Sequence, residues 1–176
     1  PEEELAASYV FVRNNRIGLN TSGKIVKTTS DKRSEIGINV RRAHRAFIGY
    51  EKAGNVIGGH TIGVELESEE SIVTANYIGT DPSGQETRPN LIGILISGSG
   101  LVGLPPEEDA DFSLNFIRTW GNIISGNDEA GVLVVPIDED DTPNAVLIGN
   151  RIGLSSTGAP LPNGSSYDPV PEIPVG

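Results

Sequence analysis

Asn76-Tyr-Ile-Gly-Thr-Asp-Pro-Ser-Gly84 is one of three versions of a nine-residue phrase, the others being Asn15-Arg-Ile-Gly-Leu-Asn-Thr-Ser-Gly23 and Asn150-Arg-Ile-Gly-Leu-Ser-Ser-Thr-Gly158. Their starts lie 61 and 74 residues apart, and a half-phrase falls in each interval, Asn55-Val-Ile-Gly-Gly59 and Asn122-Ile-Ile-Ser-Gly126. The repeating unit is therefore roughly 30 residues long, with two kinds of unit alternating. Units of that length bury their apolar faces by stacking on one another.

A second motif, Gly-apolar-x-apolar, recurs as Gly37-Ile-Asn-Val40, Gly63-Val-Glu-Leu66, Gly93-Ile-Leu-Ile96 and Gly131-Val-Leu-Val134. These read as short β-strands whose successive side chains face opposite ways. Their spacings of 26, 30 and 38 residues imply strands held in register by connections of variable length. Asn15, Asn55, Asn76, Asn122 and Asn150 each precede by two residues an isoleucine, Ile17, Ile57, Ile78, Ile124 and Ile152. Stacked strands lie ~4.8 Å apart, so equivalent side chains meet their own kind. Isoleucine is expected to fill a core, and asparagine to pass hydrogen bonds from amide to amide while tolerating a left-handed corner. The phrase endings Asn20-Thr-Ser-Gly23, Asp81-Pro-Ser-Gly84 and Ser155-Ser-Thr-Gly158 are turns opened by a short polar residue and closed by glycine. Asn20-Thr-Ser and Asn163-Gly-Ser match the glycosylation acceptor pattern, which polar turns also generate, and are read as turns.

The bulk composition agrees. With 22 Gly and 12 Pro in 176 residues, no stretch of 12 or more keeps a helical apolar period, so helix is at most a minor component. The absence of Cys excludes disulfides and thiolate metal sites. A chain that starts at Pro1 without Met, with a repeat phrase under way by Asn15, is expected to be a processed product or a piece of a longer array. There is no signal peptide and no 18-residue apolar run, so membrane insertion is not expected. The net charge of −11 weighs against nucleic acid and anionic membrane as partners. Residues 1–60 hold ten basic and six acidic groups, whereas residues 61–176 hold three and eighteen.

Residues 10–164 resemble the right-handed parallel β-helix repeats of bacterial extracellular proteins, in which Asn-x-Ile-Gly-Thr-Asp-x-Ser-Gly alternates with Asn-Val-Ile-Ser-Gly-Asn and Gly-Val-x-Ile. Asn76 to Gly84, Asn122 to Asn127 and Gly131 to Val134 carry the likeness. It implies an all-β, right-handed, single-stranded parallel β-helix, a solenoid of about four to five turns over residues 1–164. Residues 165–176, with three prolines, are expected to be a tail, linker or cap, because proline cannot continue a central ladder. The resemblance also implies an extracellular or cell-surface location. It is compatible with two roles: a non-catalytic structural or adhesive module that binds carbohydrate or another surface protein, or part of a polysaccharide lyase, glycosidase or epimerase.

The residues favour the first role. His60, in Val56-Ile-Gly-Gly-His60-Thr-Ile-Gly63, resembles the Gly-His-Gly segment of polygalacturonases, but the companion Asp-pair and Arg-Ile-Lys motifs are missing. No Asp-Pro-His-Glu motif of an epimerase is present either. Arg41, Arg42 and Arg45, with His44, are candidates for an anion site on an acidic polysaccharide. In the next unit Glu65, Glu67, Glu69 and Glu70 fall at matching offsets, so stacking predicts that the two runs neutralise one another. Trp120 and Tyr77 are candidates for stacking on sugar rings, and Trp120 equally for covering the core. The acidic runs Glu107 to Asp111 and Asp138 to Asp141 read as solvated loops, with Asp138, Asp140 and Asp141 the candidate ligands should calcium bind. The expected partners are a polysaccharide or a cell-surface protein, and neighbouring β-helix turns of a parent chain.

Overall fold

The computed structural model describes residues 9–26, 33–43, 45–68, 70–103, 120–136 and 142–164, and they are all-β. The strands fall into levels, here called rungs. Rung one holds β1 (Val10–Val12), β2 (Arg16–Ile17) and β3 (Ser34–Arg41). Rung two holds β4 (Ala46–Ile48), β5 (Val56–Ile57) and β6 (His60–Glu67), and rung three β7 (Ser71–Val73), β8 (Tyr77–Ile78) and β9 (Ile92–Ile96). Rung four holds β10 (Ser99–Gly103), β11 (Ile123–Ile124) and β12 (Ala130–Val134), and rung five β13 (Asn144–Ile148) and β14 (Arg151–Ile152).

Every strand pairs in parallel with the strand three places along the chain. The first sheet runs β1-β4-β7-β10-β13, the second β2-β5-β8-β11-β14 and the third β3-β6-β9-β12. The chain thus visits the three sheets in fixed rotation, as a two-part repeat with constant strand register demands. Ile17, Ile57, Ile78, Ile124 and Ile152 align in the second sheet. Ile38, Val64, Ile94 and Val132 align in the third. With Ile48, Val73 and Val102 of the first sheet they make one continuous core, in which Ile57, Ile78, Ile94 and Ile124 are wholly buried. Each fully buried side chain of this size contributes roughly 1.5–3 kcal/mol by its removal from water.

Gly37, Gly63 and Gly93 are set in the third sheet where the stack is tightest. A Cβ on Gly63 would stand 2.6 Å from the Gly93 carbonyl oxygen, which is backbone and cannot yield. On the outer face of the first sheet the row is apolar, with Phe11 stacked on Phe47 at 5.0 Å between ring centroids.

The corner from the first sheet to the second carries the asparagine ladder. The Nδ2 of Asn15 donates to Asn55 Oδ1 at 3.0 Å, Asn55 to Asn76 at 2.9 Å, Asn76 to Asn122 at 3.0 Å and Asn122 to Asn150 at 2.8 Å. Each backbone N–H of the donor residue joins the same oxygen. The second hydrogen of each Nδ2 satisfies a strand carbonyl, Val12 for Asn55, Ile48 for Asn76 and Val73 for Asn122. Buried amides are therefore fully satisfied, as burial requires.

The two kinds of unit differ in where the chain makes its excursions. In rungs one and three the long connection lies between the second and third sheets, and in rung five it follows the second-sheet strand, as hairpins closed by the bridges Leu19 to Ile25, Thr80 to Thr87 and Leu154 to Pro160. In rungs two and four that corner is tight and the long connection lies between the first and second sheets instead. Excursions on each edge are thus two rungs apart and close over the short corner between them. Gly59 N–H donates to Pro89 O and Gly126 N–H to Leu161 O on one edge, and Ala75 N–H to Trp120 O on the other.

Candidate functional site

The outward row of the second sheet is Arg16, Val56, Tyr77, Ile123 and Arg151, each one residue before a buried isoleucine. An apolar strip with one aromatic ring thus lies between two arginines. Over it opens a groove of about 310 Å³, lined by the side chains of Lys52, Val56, Tyr77, Ile123, Arg151 and Ser156 and floored by the ladder corner at Asn76 and Asn122.

Two walls come from the excursions. On one side the rung-two loop carries Tyr50 and Lys52, and Tyr50 meets Trp120 of the rung-four connection edge to face at 5.1 Å. The carbonyl of Trp120 also accepts from Ala75 N–H and Thr74 Oγ1, which ties the two loops across rung three. Lys52 has a left-handed φ of 57°, which an excursion loop tolerates at a tight bend. On the other side the corner of rung five rests on that of rung three through Ser156 N–H to Gly84 O at 2.8 Å. Gly84 lies against the edge of the Tyr77 ring, and a Cβ there would stand 2.8 Å from Ile123 Cδ1 and 3.0 Å from Tyr77 Cε1.

The groove is cationic within an acidic chain. Lys52 is strongly exposed, 3.4 Å from Glu51, and Arg151 spends only Nη1, on Ser156 O at 3.1 Å. Its remaining guanidinium donors have no partner among the described residues. Among the described residues no carboxylate and no imidazole lines the groove. Its described lining offers an aromatic face, two cations and backbone groups.

The residues singled out from the sequence do not converge. Arg41 ends β3 and contacts Glu65 at 3.5 Å and Glu67 at 3.1 Å, while Asn39 Nδ2 shares the Glu65 carboxylate at 2.8 Å. Arg45, before β4, pairs with Glu70. Arg42 is exposed with a left-handed φ of 52°. These arginines stand at the corner from the third sheet to the first, whereas Trp120 stands at the groove. His44, Glu69, the runs Glu107 to Asp111 and Asp138 to Asp141 with the candidate calcium ligands Asp138, Asp140 and Asp141, and the tail 165–176 lie outside the described residues. Among the described residues no group of three or more His, Asp or Glu can hold a metal ion.

His60 begins a second ladder that the sequence reading missed. Asn90 donates Nδ2 to Asn127 Oδ1 at 3.1 Å, Asn127 to Asn163 at 2.9 Å, and His60 N–H donates to Asn90 Oδ1 at 3.1 Å. Asn90, Asn127 and Asn163 also bond the carbonyls of Ile57, Ile78 and Ile124 in the rung before. His60 holds the equivalent place opposite Ile17, with its ring packed over Gly18 and Gly37. It is 5% exposed, and neither ring nitrogen reaches a partner in hydrogen-bond geometry. Burial lowers its pKa below 6.5, opposed by the nearby Ile17 carbonyl. The signal for this ladder was present as Asn90, Asn127 and Asn163. Asn163 was read as an ordinary turn because its spacing from Asn127 spans the long rung-five connection.

The described residues define a class: an all-β protein of three parallel sheets with stacked strands. No protein-family model, no curated protein and no solved structure matches the chain. Among the described residues no helix is long and apolar enough to cross a membrane.

Proposed function

We propose that this chain is a right-handed parallel β-helix module of a larger extracellular or cell-surface protein, non-catalytic, whose groove over the second sheet binds an acidic carbohydrate chain. The observation that carries the reading is the pairing of the Tyr77 face with Lys52 and Arg151 in a groove that no carboxylate lines among the described residues. Aromatic faces stack on sugar rings, and guanidinium groups bind carboxylates in a fork. Hydrolysis of a glycosidic bond instead needs two carboxyl groups flanking one bond. The rotation of the chain through three parallel sheets supports the β-helix, and the resemblance of the repeat phrase supports the extracellular setting.

Titration calorimetry with an oligouronate, in calcium and then in EDTA, tests the proposal. Binding should persist in EDTA and weaken about tenfold in each of Tyr77→Ala and Arg151→Ala, roughly 1.4 kcal/mol apiece. Binding abolished by EDTA would move the contact to Asp138, Asp140 and Asp141. Absence of binding, or cleavage of the oligouronate, would overturn the reading.

A further inference from the structure

Asn163 and Gly164 form the one Asn-Gly pair in the chain. That dipeptide is chemically reactive. The Gly nitrogen attacks the Asn Cγ, ammonia leaves, and water opens the resulting cyclic imide to aspartate or to isoaspartate. Glycine makes the attack easy, because no Cβ shields its nitrogen or narrows the backbone angles open to it. Every other ladder asparagine precedes a residue that carries a side chain. Gly164 has a left-handed φ of 75°, so the bend itself calls for the residue that makes the pair reactive.

Both reacting groups are engaged in the stack. The Gly164 N–H, whose proton must leave before the nitrogen attacks, donates to Asn127 O at 2.9 Å. The Asn163 amide belongs to the second ladder. Its Oδ1 accepts from Asn127 N–H at 3.1 Å and from Asn127 Nδ2 at 2.9 Å, and its Nδ2 donates to Ile124 O at 2.9 Å. Gly131 packs against it so closely that a Cβ there would stand 2.8 Å from Nδ2 and 3.2 Å from Cγ. Asn127 thus holds the attacking nitrogen and the amide that it would attack.

We infer that Asn163 is a deamidation site gated by the second ladder: it keeps its amide while Asn127 and Ile124 hold it, and loses it to water when this corner opens. The product cannot close the ladder again. Aspartate turns an oxygen rather than an N–H toward the Ile124 carbonyl, which leaves that acceptor unmet beside a charge. Isoaspartate also adds a methylene to the main chain, which breaks the register at this corner. The change is irreversible, so it records that the corner has opened. The site lies outside the groove and is independent of the carbohydrate reading.

Peptide mapping by mass spectrometry tests it, on the 176-residue chain incubated in mildly alkaline buffer with and without urea. In urea Asn163 should deamidate ahead of the other asparagines. In buffer alone it should react at least about tenfold more slowly, in proportion to the fraction of chains open at this corner. Gly131→Ala, whose Cβ presses on the Asn163 amide, should raise the rate in buffer several-fold with the circular dichroism unchanged. Asn163→Asp, which is the aspartyl product, should have a lower urea midpoint than the wild type. Equal rates with and without urea overturn the inference. So does a Gly131→Ala rate no higher than that of the wild type, or an Asn163→Asp midpoint equal to it.

Discussion

Asn76 lies at the centre of the ladder, with one Oδ1 accepting two hydrogen bonds and Nδ2 donating to Ile48, Thr74 and Asn122. Its replacement by alanine strands the N–H and Nδ2 of Asn55, and unsatisfied buried groups cost about 1–3 kcal/mol each. Asn76→Ala should therefore lower stability by ~2–4 kcal/mol in urea titration. Asn15→Ala at the exposed end should cost less than half as much, since nothing donates to its Oδ1 among the described residues. Two titratable residues set separate pH windows. His60 is held neutral by burial, while the unfolded chain takes its proton near 6.5. The unfolded state then binds more protons, so stability is full above 6.5 and falls as the pH drops below it. His60→Asn, which places here the residue found at the other ladder positions, should flatten that fall below pH 6.5 in thermal melts. Asp81 acts at lower pH. Partial burial opposes its ionisation, but hydrogen bonds from Glu86 N–H, Ser83 Oγ, Gln85 N–H and Ser83 N–H outweigh this and bring its pKa to about 2. Its contribution is present above 3.8 and lost as the pH falls toward 2. Asn20 makes the equivalent bonds to Ser22 and Lys24 with a neutral amide. Asp81→Asn should keep the turn and remove this part of the acid sensitivity.

Among the elements, strands were the most legible. Gly37, Gly63, Gly93 and Gly131 align in the third sheet as their spacing implied, because a parallel stack repeats equivalent positions and no inserted residue interrupts these strands. Gly63→Ala tests that tightness. Its Cβ would press on the Gly93 carbonyl at 2.6 Å, and forced overpacking of this kind costs about 1–3 kcal/mol. A lower urea midpoint with an unchanged slope would report it. Connections were harder to read. The half-phrases showed that two units alternate, but the sequence carries no mark that their long excursions fall on opposite edges and close over each other's short corners. That follows from contacts such as Gly59 with Pro89, or Ala75 with Trp120, made between residues far apart in the chain. Tyr77 is legible beside Trp120 as a stacking candidate, but the cations that share its groove are not, for the same reason. Its partners Lys52 and Arg151 are brought to it by an excursion and by a strand two rungs away.

At the scale of the molecule the strands of each rung pair only with those of its neighbours, while the excursions also touch two rungs away, so stability is largely a sum over nearby rungs and the ends open first. Amide hydrogen exchange should be slowest in rung three, at Val73, Ile78 and Ile94, and fastest in β1 and β14. Equal protection along the stack would show a single cooperative unit instead. Sequence by itself determined the repeat, the β-strands, the asparagine and isoleucine rows and the uneven charge, because each follows from residue types recurring at positions that stacking makes equivalent. Tertiary structure alone decided the groove, the second ladder with His60 at its head, and the separation of Arg41 and Arg45 from Trp120. These depend on which corner each connection occupies, and connections of unequal length erase that information from the linear spacing.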